Sequence, residues 1–236
     1  MSTRSRLPVL MAQLIVLVWG VLGVIGALSP RWSPLLHGFS SDLLALTTVL
    51  ALALSLGVPL GALAGSGPRW IDVGLGFTTD WIAAVPVVLL MAFVRPAGVG
   101  LLGGLVLLGA LRALEVAWVV RSALLRAATL DPTWAPRSLG YMPLAVFVNQ
   151  RLPAAARPAL AHLAFTPVWT FLLDSVASAA GLGAATSEHG LGALAARPDT
   201  SAGVSFAAIV AVLSLTWALH RLGAHYGLRL SRKWQY

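Results

Sequence analysis

Hydrophobic residues run through this chain in long stretches, and polar residues gather in the segments between them. Six stretches come close to the length of about 20 residues that an α-helix needs to cross a bilayer. They are Val9–Leu28, Leu43–Leu63, Val73–Val94, Gly98–Val120, Ala159–Ala180 and Val204–Leu222, the third and fifth each holding an acid. The lipid core offers no partner for backbone N–H and C=O groups, so such stretches must be helical. The pattern predicts an all-α membrane protein with six transmembrane helices. The first run follows Arg4 and Arg6 and has the outline of a signal peptide. Its apolar part is long for a signal core and more spans follow, so a retained helix is expected.

Composition agrees. Of the 236 residues, 58% are hydrophobic and 10% charged, whereas a soluble domain carries about a quarter charged residues. The absence of cysteine excludes disulfides, zinc–thiolate sites and iron–sulfur clusters. The net charge of +8 would suggest nucleic acid in a soluble protein. In a membrane protein it points instead to cytoplasmic loops and anionic lipid, with no nucleic-acid partner. With the N-terminus inside, twelve basic side chains fall on the cytoplasmic side, among them Arg69, Arg126, Arg137, Arg157 and Arg229, against Arg31, Arg95 and Arg197 outside. This predicts a multi-pass protein whose two termini are cytoplasmic. No repeat or linker is visible, so residues 1–236 read as a single transmembrane domain.

The longest connection runs from about Arg121 to Pro158, on the cytoplasmic side. It is too apolar to be a solvated loop. Gly140 divides it into two short predicted helices, Pro132–Leu139 and Pro143–Arg151, each with proline at a first-turn position. Composition supports equally an amphipathic pair on the membrane surface and a docking element for a cytoplasmic partner.

Charges inside spans are costly and usually have a purpose. Asp80 follows Asp72 by eight residues, so the two acids are expected on one helix face. Asp80 is read either as facing the bundle to hold an arginine or helix-end amide, or as a structural polar anchor. Arg112 and Glu115, three apart, are placed to pair along their helix. Asp174 lies about two turns before the end of the fifth span, either bracing an outer gate or as a buried carboxylate bonded to Ser175 or Ser178. The histidines show no ligand spacing, and no metal or cofactor is predicted. There is no phosphate-binding Gly-rich Lys-Ser/Thr loop, no Gly-x-Ser-x-Gly and no His-Glu-x-x-His, so the chain does not itself hydrolyse ATP.

Several motifs occur in a fixed order. Gly57, Gly61 and Gly65 close the second span; Asp72, Asp80 and Pro86 follow; Trp118 and Arg121 end the fourth span. The loop then reads Trp134-Ala135-Pro136-Arg137-Ser138-Leu139-Gly140, with Tyr141-Met142 after it and Leu152-Pro153 further on. Asp174 precedes Gly181-Leu182-Gly183, and the tail is basic through Lys233. This order resembles one permease subunit of bacterial ABC importers, in the dipeptide/oligopeptide/nickel family, from about Leu43 to the C-terminus. There are departures. The family's coupling glutamate is replaced by Trp134 and an alanine by Pro136. Of the Arg-x-x-Arg pair only Arg121 remains. The outer segment after the first helix, about Ser29 to Asp42, is short for the family.

The resemblance implies a type I ABC importer permease with a cytoplasmic coupling-helix loop at about 127–153. Docking to the ATPase would fall to Trp134, Ala135, Arg137, Leu139, Gly140, Tyr141 and Met142. It further implies a second homologous permease subunit, two nucleotide-binding ATPase subunits and an extracytoplasmic solute-binding protein, all at the bacterial inner membrane. The implied function is ATP-driven uptake of peptides or a similar small solute by alternating access. The alternatives are a permease-like scaffold that does not transport, favoured by the lost glutamate, and an ion-coupled secondary transporter using Asp80, Arg112 and Glu115.

Overall fold

The computed structural model describes residues 7–28, 34–94, 101–129, 142–182 and 190–232. Among these, the regular structure is helical. In chain order the helices are α1 (Leu7–Leu28), α2 (Pro34–Ser66), α3 (Arg69–Ala83), α4 (Val87–Val94), α5 (Leu101–Ala128), α6 (Pro143–Val146), α7 (Leu152–Leu163), α8 (Thr166–Ala179), α9 (Leu191–Ala196) and α10 (Ala202–Arg232). A π-helical turn, Phe147–Arg151, joins α6 to α7.

Five of the described stretches are long and apolar enough to cross a membrane: Leu7–Leu28, Pro34–Ser66, Gly103–Ala128, Pro143–Ala179 and Ala202–Gly227. The third run read from the sequence, Val73–Val94, is not one helix. It stops at Ala83 and restarts at Val87. Pro86 is the cause, because it has no N–H with which to continue the ladder and its ring crowds the preceding turn. Its carbonyl then starts α4, accepting from Leu89 N–H at 2.8 Å and Leu90 N–H at 3.2 Å.

The fifth run also differs, since its helical path begins at Pro143, well before Ala159. Pro153 cannot donate, and the chain accommodates it with a wider turn in which Leu152 N–H reaches back five residues to Phe147 O. A second interruption, at Ala164 and Phe165, precedes Pro167. The predicted short helix at Pro143–Arg151 is thus the opening of a longer path; its companion at Pro132–Leu139 lies outside the described residues.

The helices pack in two compact units. The first comprises Met1–Ala51, Val85–Gly109 and Phe165–His225. One of its cores joins Phe39 to Leu191, Leu194, Ala208 and Ala211. Trp19 stacks on Phe39 at 4.0 Å and donates from Nε1 to Ser214 Oγ at 3.1 Å, so α1 is tied to both α2 and α10. A second core is Ala45, Val49, Leu105 and Leu108. Leu10, Leu14, Leu17 and Val21 on α1 are exposed, as a lipid-facing helix requires.

The second unit comprises Leu52–Ala84, Ala110–Ala164 and Tyr226–Tyr236. Small residues dominate its cores. Ala123, Leu124 and Ala127 of α5 pack on Ala155 and Ala159 of α7, and Ala64, Leu75 and Ala117 join α2, α3 and α5.

Candidate functional site

In the second unit the site grows from a close helix crossing. Gly57, Gly61 and Gly65 lie one turn apart on α2 and all face α5. A Cβ on Gly57 would stand 2.7 Å from Val116 Cβ, one on Gly61 2.8 Å from Val120 Cβ, and one on Gly65 2.9 Å from Leu124 Cβ. Such distances are below van der Waals contact, so only hydrogen fits and the backbones can approach.

The crossing presents the end of α5 to α3. Arg121 Nε donates to Asp72 Oδ1 in an ion pair. The Arg121 guanidinium also lies 4.6 Å from the centre of the Trp118 ring, a cation–π contact. The Trp118 ring thus supports Arg121 at the end of α5. The hydrogen bond from Arg121 is the main cause holding the Asp72 carboxyl below its ordinary pKa; desolvation opposes it, while the charges of Arg121 and Arg69 add to it.

Asp80 does not share this role. It is exposed on α3 and meets no arginine among the described residues. Eight residues at 3.6 per turn leave it about 80° around the helix from Asp72, enough to point it elsewhere. The exposed neighbours on α3 are aromatic and apolar: Trp70, Val73, Phe77 and Trp81.

Arg112 Nη1 donates to Glu115 Oε2 one turn on. The two ends of the pair differ sharply: Arg112 is 8% exposed, while the Glu115 side chain is 58% exposed. The guanidinium is inside the packed helices and the carboxylate lies on the chain surface, in the middle of an apolar helix.

Of the predicted docking residues, Trp134, Ala135, Arg137, Leu139, Gly140 and Tyr141 lie outside the described residues. Met142 is 77% exposed at the start of α6. Beyond it, Leu144, Val148 and Leu152 are exposed at four-residue intervals, forming an apolar stripe. The opposite side of the same helical path, with Phe147 and Ala155, packs against α5.

The first unit holds a second polar cluster. Asp42 of α2 and Asp174 of α8 are 3% and 2% exposed and within electrostatic reach of each other. Asp42 Oδ2 accepts a hydrogen bond from Leu191 N–H at 3.2 Å. The hydroxyls of Ser175 and Ser178 make no hydrogen bond, so the bond expected from either of them to Asp174 is not formed. Sequence reasoning missed Asp42 by ending the outer segment on it. Pro34, a good first-turn residue, and the apolar Leu35, Leu36 and Phe39 were the signal that α2 begins earlier. Among the described residues, no three His, Cys, Asp or Glu side chains group to hold a metal ion.

The family described as "Binding-protein-dependent transport system inner membrane component" matches residues 57–232. That range opens on the first glycine of the α2–α5 crossing and takes in Asp72, Arg112, Glu115, Arg121 and Asp174. Among solved structures, a chain from "Inward facing conformations of the MetNI methionine ABC transporter: CY5 native crystal form" shares the fold at a TM-score of 0.67 and 20% identity, covering 85% of this chain and 98% of that one. No curated protein matches.

Proposed function

The chain belongs to the family of binding-protein-dependent transport system inner membrane components, and from that membership we propose that it forms half of the path by which an ATP-driven importer takes up peptides or a similar small solute. Membership makes it a transport subunit rather than an enzyme; ATP hydrolysis falls to separate ATPase subunits, and a binding protein supplies the solute. The whole chain acts as one permease domain in a bacterial inner membrane with both termini cytoplasmic. It pairs with a second, similar permease and two ATPase subunits.

The observation that carries this reading is the exposed stripe of Met142, Leu144, Val148 and Leu152, which continues the loop expected to dock the ATPase. Apolar side chains on a cytoplasmic element have reason to be exposed if a partner covers them. Leu144→Asp with Val148→Asp is expected to release the ATPase subunits from the purified complex, or to leave hydrolysis unresponsive to solute, while the helices stay folded. Unchanged retention and unchanged stimulation would remove the coupling role.

Peptide as the solute rests on the ordered resemblance of Asp72, Asp80, Pro86, Arg121 and Asp174. Uptake of labelled dipeptide into proteoliposomes, competed with methionine and nickel, tests it. Competition by methionine alone would move the substrate towards that of the structural neighbour. The exposed Glu115 supports placing this side of α5 on the path, because a charge facing lipid at mid-span costs about 2.5–3.5 kcal/mol. A second reading, a scaffold that does not transport, draws on the replacement of the coupling glutamate by Trp134. It predicts an assembled complex whose hydrolysis ignores solute even in the native sequence.

A further inference from the structure

We propose that the first unit binds the end of one acyl chain of a membrane lipid, in a recess between α1, α2 and α10 that opens at the middle of the bilayer. The site concerns the lipid around the protein and does not depend on which solute the permease carries.

The recess forms where two helices part. Near its C-terminal end α1 lies close on α2: a Cβ on Gly26 would stand 2.0 Å from Leu36 O, and one on Gly23 3.0 Å from Leu43 Cδ2. About one turn earlier the contact is lost, and a Cβ on Gly20 would meet nothing within 4 Å. A cavity of about 110 Å³ lies at this opening. Phe39 and Phe171 at its floor are buried, while Val16, Gly20, Leu46 and Leu215 at its mouth are half-buried. Asp42 also borders it, but its oxygens are turned to the start of α9. Oδ2 accepts from Leu191 N–H at 3.2 Å, and Oδ1 is 3.0 Å from the Cβ position of Gly190. The indole N–H of Trp19, another wall residue, is taken by Ser214 Oγ. What the walls offer a ligand is almost wholly hydrocarbon.

Depth decides the occupant. Val16 lies nine residues along α1 from Leu7, about 14 Å at 1.5 Å per residue. That is near the middle of a hydrocarbon core about 30 Å thick. Leu215 is likewise midway along the span Ala202–Gly227. Around the mouth the exposed side chains are apolar: Leu17 and Val21 of α1, Leu44 of α2 and Leu213 of α10. Such a surface suits lipid tails, which are as apolar as leucine. At mid-depth a bilayer supplies the ends of acyl chains, with the headgroups held at the surface. An empty recess forfeits dispersion contacts along its lining. A cavity of roughly 150 Å³ with a similar aliphatic and aromatic lining stays dry and takes benzene, so this one has room for a few methylene groups. A chain end seated here touches three helices at once and reinforces the tie that Trp19 makes between them.

The test uses the purified full-length protein in phosphatidylcholine vesicles doped with a phosphatidylcholine that carries a diazirine near the methyl end of one acyl chain. After photolysis, peptide mass spectrometry is expected to find adducts on buried Phe39 and Phe171 as well as on exposed Leu14 and Leu17. A lipid with its diazirine beside the glycerol is expected to leave both phenylalanines unlabelled, because the mouth is at mid-depth. Gly20→Leu adds a side chain where a Cβ meets nothing within 4 Å, and leucine favours the helix more than glycine does. In that variant the adducts on the two phenylalanines are expected to fall several-fold while those on Leu14 and Leu17 hold. The comparison of the two lipids is made on the unaltered protein and does not depend on the variant folding. Phenylalanines without adducts in the unaltered protein would overturn the site, whether the recess is dry or filled by a neighbouring subunit. Adducts that persist in Gly20→Leu, or that form equally from the glycerol-side label, would overturn it as well.

Discussion

Asp72 and Arg121 meet from positions 49 residues apart, and Trp118 packs the same guanidinium. Because the pair lowers the Asp72 pKa, its contribution is fully present above the unfolded carboxylate value of about 3.9. It is lost as pH falls from there through the lowered folded value. Asp72→Asn is therefore expected to flatten this part of the acid limb in a plot of thermal stability against pH. The pair is partly exposed, so the effect is expected to be under about 1 kcal/mol at neutral pH. Reversing both charges, Asp72→Arg with Arg121→Asp, should recover part of it. Gly181 carries a different constraint. It ends α8 with φ of 72°, its N–H reaching Ser178 O at 2.9 Å and the next N–H, of Leu182, reaching Ala177 O at 2.6 Å. This is the left-handed helix cap that glycine adopts without a Cβ clash. Gly181→Ala should destabilise by about 1–2 kcal/mol, read as a lower melting temperature.

Prolines decide where the helices change course. Pro86 divides one predicted span into α3 and α4, and Pro153 follows a π-helical turn that adds a residue to the path before α7. Pro153→Ala restores a donor and lets this turn relax towards regular helix. That would rotate the Leu144–Val148 stripe relative to α7 by about 100°, one residue's worth of turn. The expected result is a chain at least as stable as the original whose ATPase partners hydrolyse without transporting, measured as the ratio of ATP consumed to solute taken up. The α2–α5 crossing is the other decisive element. Gly61→Ile puts a branched side chain where even a Cβ is 2.8 Å from Val120. It should separate the helices and abolish recovery of folded protein, while Gly74→Ala, which faces open space, should be neutral.

At the scale of the molecule, charge asymmetry sets a testable orientation. The chain has no cysteine, so single cysteines report cleanly. In intact cells, cysteines at Ser5, Ser138 and Ser231 should be shielded from an impermeant thiol reagent, and cysteines at Ser187 and Ser201 should label. Labelling at Ser138 would reverse the orientation or change the number of spans. The two compact units each gather segments from distant parts of the chain. The cores of the first join α2 to α9 and α10, and those of the second join α5 to α7.

The sequence by itself determined the class, most of the spans and the transporter family. Those follow from the length of apolar runs, from backbone groups that lipid leaves unsatisfied, and from local motifs such as Gly57, Gly61 and Gly65. It also marked Arg112 and Glu115 as a pair, since their spacing is local to one helix. Tertiary structure alone decided which acid meets Arg121, because Asp72 and Asp80 differ only in their direction around α3. It alone revealed Asp42, whose surroundings come from α8 and α9, more than a hundred residues away. Pairings within a helix are written in its period, whereas pairings between helices depend on the crossing and on which face each turns inward.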